Sequence, residues 1–120
     1  MIEQLEGLPE DVIGFRAEGK LHSDDYKHIL IPVLAARMAG GHKVRVVLVI
    51  PRFDGMSAGA VWEDVKLGAE HLTHWKRVAL VTDVEWMVQV TQLFGWMTPG
   101  ELKHFPLEKQ IQAVAWAAGD

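Results

Sequence analysis

Val44-Arg45-Val46-Val47-Leu48-Val49-Ile50 is the stretch that decides the fold. Five of its seven residues are β-branched, only Arg45 is polar, and Pro51 follows. A strand with one wet face alternates apolar and polar residues, and this one does not. It therefore reads as a central strand covered on both faces and ended by Pro51. Val78-Ala79-Leu80-Val81 is a shorter copy of the pattern, closed by Thr82 and Asp83. Ile13, Phe15 and Ala17 alternate with Gly14, Arg16 and Glu18, the period of a half-exposed strand near an edge, with Gly19 ending it. Ile2 to Leu5 and Leu102 to Phe105 are weaker strand candidates.

The segments between these strands have helical spacing. Ser23, Asp24 and Asp25 suit a helix start. Tyr26, Ile29, Leu30, Val33, Leu34 and Met38 then fall on one stripe, ended by Gly40 and Gly41. Pro32 lies inside that helix and predicts a kink. A second helix is expected from Ser57 to His71. A third, from Val84 to Phe94, is apolar nearly all round. A fourth, from Leu107 to Ala118, is expected to bury Ile111, Val114, Ala115 and Ala118. Strands alternating with helices imply βαβ units and a mainly parallel sheet of four or five strands in one domain over residues 1–120.

Composition narrows the function classes. The chain is 49% hydrophobic and 23% charged, ordinary values for a globular domain. It has no cysteine, which excludes disulfides, thiol nucleophiles and cysteine-held metals. A net charge of −4 gives no overall attraction to nucleic acid or an anionic membrane. No run reaches the ~20 apolar residues of a spanning helix. The first 25 residues carry seven acids, two bases and no apolar core of a signal peptide. A cytoplasmic location is expected, with neither nucleic acid nor a transmembrane segment involved.

Asp25-Tyr26, Ile31-Pro32-x-Leu34 and Lys43-x-Arg45 opening an apolar strand resemble the first half of the SpoIIAA-like family. The second half agrees through Asp83-x-x-Trp86, then Gly100-Glu101-Leu102-Lys103-His104-Phe105, then Ala113-x-x-Trp116. These small bacterial proteins are grouped with STAS and CRAL-TRIO domains. The resemblance implies a βα superhelix with about four helices and the first strand at an edge. It implies no catalytic activity or cofactor. STAS relatives are partner-binding anti-sigma-factor antagonists switched by phosphorylation of a serine or threonine at a helix start. CRAL-TRIO relatives bind lipids or other hydrophobic molecules.

Three constellations stand out. Pro51 to Gly59 reads as a loop at the carboxyl end of the central strand, where open α/β folds place their sites. Arg52, Asp54, Gly55 and Ser57 there form a candidate regulatory or anion-binding loop. Ser57 lies near the position of the STAS phosphorylation serine, and it is equally a helix N-cap with Gly55 as a turn residue. Trp86, Met87, Phe94, Trp96 and Met97 gather on or just after the third helix. They suit a hydrophobic ligand pocket, or core plus a homodimer interface. His71 and His74 beside Glu70 have a metal-compatible spacing but also suit a helix end, and no metal is expected. Finally, Lys27, Arg37, Lys43, Arg45 and Arg52 form a run of bases with no acid among them, either solvated or a patch for phosphate or an acidic partner. No arrangement of general acid, base or nucleophile is recognisable. The expected function is a non-enzymatic regulatory or protein-interaction module, with a carrier of a hydrophobic ligand as the alternative.

Overall fold

A computed structural model describes residues 2–39, 43–56, 75–94 and 101–119. Its strands are β1 (Ile2–Gln4), β2 (Val12–Leu21), β3 (Val44–Met56), β4 (Trp75–Thr82) and β5 (Glu101–Phe105). They form one sheet in chain order, with β1 antiparallel at the edge and the other pairings parallel. The apolar run 44–50 is the inner part of β3, the middle strand. Val46 and Ile50 pack with Ile13 and Phe15 on one face. Val47 and Val49 pack with Ala79 and Val81 on the other. Both faces are covered, as the unbroken β-branched run requires.

The first face is covered by helix α1 (23–38) and by Met87 of α2 (Glu85–Phe94). Helix α1 is composite: a turn at Ser23–Asp25, a π turn at Tyr26–Leu30, then α-helix over Ile31–Met38. The break expected at Pro32 takes this form. Proline has no N–H to donate, and its ring collides with the carbonyl four residues back, so the ladder is reset one turn earlier. The second face is covered by α3 (Gln110–Ala118), preceded by a 3-10 turn at Leu107–Lys109.

Four expectations are corrected by this arrangement. Strand β2, next to the edge strand β1 as expected, is not half-exposed: Gly14 and Gly19 are buried. The chain between β1 and β2 folds over Gly14, where a Cβ would come within 3.1 Å of the Leu5 side chain. Gly19 does not end β2. It adopts φ +78° at a register irregularity and the strand continues to Leu21. Nor does Pro51 end β3. It falls in a bulge between the pairings Arg16↔Val49 and Glu18↔Arg52, where its missing donor breaks no ladder bond. Helix α3 buries Ala113 and Ala117, while Ile111 is 86% exposed and Ala115 faces solvent. Two alanines one turn apart let the helix backbone approach Val47 and Ala79 closely, which an isoleucine at the seam would prevent.

Arg45, the one polar residue in the run, is 6% exposed. Its Nη1 donates to the Ala117 carbonyl at 2.7 Å and to that of Gly119. Its Nε lies 3.5 Å from the Asp11 carboxylate. Arg77 on β4 does the same for the neighbouring carbonyl, donating from Nη1 to Trp116 at 2.6 Å and from Nε to Glu101 at 2.6 Å. Carbonyls at the end of α3 are thus capped by two cations from the sheet beneath.

Candidate functional site

The carboxyl end of the sheet is built differently from its middle. Strand β4 stops at Thr82, opposite Ile50. Thr82 is fully buried, donates from Oγ1 to the Ile50 carbonyl at 2.8 Å and accepts the Val84 N–H at 3.1 Å, turning the chain into α2. Beyond Ile50, β2 is the only strand neighbour of β3 among the described residues. Glu18–Leu21 and Arg52–Met56 therefore run on together as a two-stranded ribbon past the end of β4.

Alternation along the ribbon separates its side chains. Arg52 and Asp54 project to one side and pair at 3.0 Å between Nε and Oδ2, both well exposed. They lie over the backbone of Gly19, where a Cβ would come within 3.3 Å of Arg52 Nη2 and 3.7 Å of Asp54 Oδ2. Gly19 is therefore the seat of the pair as well as the bulge. Phe53 projects to the other side and meets Trp86 of α2 edge-on, ring centroids 5.4 Å apart at 68°. Trp86 remains 51% exposed. Gly55 sits opposite Lys20 with φ +115°.

The expected loop at Arg52, Asp54 and Gly55 is therefore a strand, because β2 continues alongside to pair with it. The three residues are brought together, but Arg52 is engaged by Asp54 rather than left for an external anion. Ser57, next in the chain, lies outside the described residues, as does the expected helix to His71. The aromatic cluster divides. Met87 is 9% exposed and belongs to the core with Ile50 and Leu34, while its neighbour Trp86 faces outward. Trp96, Met97 and the side chain of Phe94 lie outside the described residues. Phe53 was not singled out by the sequence reading. Reading 51–56 as a strand would have placed it opposite Arg52 and Asp54 and on the side of α2. Among the described residues, no three histidine, aspartate or glutamate side chains converge as metal ligands, and no helix is long and apolar enough to cross a membrane. His71, His74 and Glu70 lie outside them.

Comparison with known proteins fits this architecture. No curated protein matches the chain. Among solved structures, an uncharacterised protein of the DUF3478 family with a SpoIIAA-like fold, from Shewanella loihica PV-4, superposes with a TM-score of 0.82 at 33% identity. That similarity covers 98% of this chain and 94% of the other. The SpoIIAA-like family model matches residues 12–118, from the first residue of β2 to the last of α3. By that match and by the strand order described above, the chain belongs to the SpoIIAA-like family.

Proposed function

We propose that this chain is a non-enzymatic regulatory or protein-interaction module that meets its partner with the ribbon end of the sheet. One observation carries the reading: Trp86 is half exposed and held edge-on by Phe53, on a ribbon projecting past the rest of the sheet. A tryptophan fixed in orientation by a ring contact loses little freedom on binding, and tryptophan is among the residue types that dominate interface energetics. The working unit is read as a cytoplasmic homodimer. Ser57 follows the ribbon directly in sequence, and a phosphate there would add about −1.5 to −2 charges one residue past its end in the chain.

Native mass spectrometry of tagged protein recovered from its own cells tests the reading, because it registers copy number, bound protein and bound small molecule together. A protein partner is expected with the parent and with Ile111→Ala, which removes a still more exposed apolar residue elsewhere, and it is expected to be lost with Trp86→Ala. Retention by Trp86→Ala would remove the surface. An apolar small molecule in place of a protein would turn the reading into the alternative, a carrier. Equal recovery by the parent, Ser57→Asp and Ser57→Ala would remove the switch.

A further inference from the structure

The opposite end of the sheet holds a feature that a partner surface at the ribbon leaves unused. A cavity of about 380 Å³ opens where β2, β3 and β4 begin and α1 ends. Among the described residues its polar lining is Arg37, Lys43, Arg45 and Lys76 with one acid, Asp11, and its apolar wall is Ile13 and Val44. Four bases less one acid give the lining a formal charge of +3, whereas the whole chain carries −4. Three of these bases, Arg37, Lys43 and Arg45, come from the acid-free run between Lys27 and Arg52. The fold gathers them with Lys76 from a neighbouring strand.

The lining divides by role. Arg45 is buried and tied to the end of α3 and to Asp11, so it is a fixed positive floor that also answers the one acid. Arg37 and Lys43 are exposed at the rim, on the last turn of α1 and the residue before β3. Arg37 and Lys43, brought to one rim above the buried Arg45, focus a positive potential into the concavity that an anion can meet. A guanidinium fork and ammonium groups match the three oxygens of a phosphate monoester, while Ile13 and Val44 offer a surface for an organic substituent. The volume lies at the low end of small-molecule sites and is too small for a nucleic-acid strand.

We infer that this cavity at the amino ends of β2, β3 and β4 binds a small phosphate monoester. Rim residues Arg37 and Lys43 hold the phosphate over the Arg45 floor, and the organic group lies against Ile13 and Val44. The test is calorimetric titration with phenyl phosphate, inorganic phosphate and citrate at constant ionic strength, since screening otherwise imitates competition. Expected is saturable one-to-one binding of phenyl phosphate, tighter than inorganic phosphate and citrate. The double variant Arg37→Gln with Lys43→Gln is expected to weaken it at least about tenfold, each single variant to weaken it in part, and Lys109→Gln, which like each single variant removes one positive charge but at the other end of the sheet, to leave it unchanged. In the parent, amide NMR shifts are expected to move at Ile13, Lys43, Val44 and Lys76 and to stay still along Arg52–Met56. Binding retained by the double variant, citrate bound in preference to phenyl phosphate, shifts centred on the ribbon, or no saturable binding at all would each overturn the assignment.

Discussion

Replacing Arg45 by methionine tests the claim that a cation inside the central strand holds the last helix in place. Methionine keeps the apolar stem in the sheet and removes only the guanidinium. Two charge-assisted donations to the Ala117 and Gly119 carbonyls are lost. Ala117 is fully buried, so its carbonyl has no direct route to water. Charge-assisted bonds of this kind contribute about 1.5–3 kcal/mol each. Relaxation of the frayed helix end recovers part of that, and removing a buried partner typically costs about 3–5 kcal/mol, so a loss of about 3–4 kcal/mol is expected. Asp11 adds little to this figure, being mostly exposed and able to rehydrate. With about 2.1 cal/mol/K of unfolding entropy per residue, the 120-residue chain has about 0.25 kcal/mol/K, so Tm should fall by about 12–16 °C. Urea unfolding of the parent, Arg45→Met and Asp11→Asn measures the stability difference, and hydrogen exchange locates it. Asp11→Asn should stay within about 1 kcal/mol of the parent, and the exchange of Arg45→Met should quicken first in the last turn of α3. A loss below about 1 kcal/mol for Arg45→Met, or equal losses for the two variants, would refute the clamp.

Two further outcomes follow from packing. Met87→Ala should cost about 2–4 kcal/mol in the same unfolding measurement, because Met87 fills the core against Leu34 and Ile50. Its neighbour Trp86→Ala should cost about 1 kcal/mol at most, the worth of one aromatic pair at the surface. On α3, Ala117→Leu should destabilise by about 1–3 kcal/mol or more by forcing the helix off the sheet. Ile111→Ser should change stability by no more than about 0.5 kcal/mol, the reverse of what the apolar character of Ile111 suggests.

The centre of the fold was open to reading because it depends on local pattern. A run of β-branched residues states its own burial, and Pro32 in a helical stripe announces a break. The edges were harder because their conformation depends on what lies alongside. Gly19 and Pro51 are ordinary stop signals, and each would end an isolated strand. They fall at irregularities of the same parallel pair, so the two exceptions accommodate each other and the ribbon continues. Gly14 gave no sign of the chain that folds over it. Ile111 and Ala117 misled because volume, not hydrophobicity alone, decides which face of α3 fits against Val47 and Ala79. Arg45 was visible as an anomaly, but its partners lie 72 and 74 positions away in the chain. For the site, the residue types at 52–55 were found and their conformation was not, and with it went the pairing of Phe53 with Trp86.

If the ribbon end is the partner surface proposed above, it would work through side chains rather than backbone. Among the described residues, β3 has no strand neighbour past Ile50 on the side where β4 lay, so no described strand pairs with the backbone groups of Arg52–Met56 on that side. Such an edge invites indiscriminate strand addition unless something blunts it. Pro51 removes a donor at the point where the edge opens, and the bulge beside it turns the strand. Gly55 at φ +115° breaks the extended conformation near its end, and Arg52 with Asp54 keeps charges along its length. An incoming strand would meet these features before it could form a regular ladder. On the proposed reading, selectivity at this end would rest with the oriented ring of Trp86 on one side of the ribbon and the charged pair on the other.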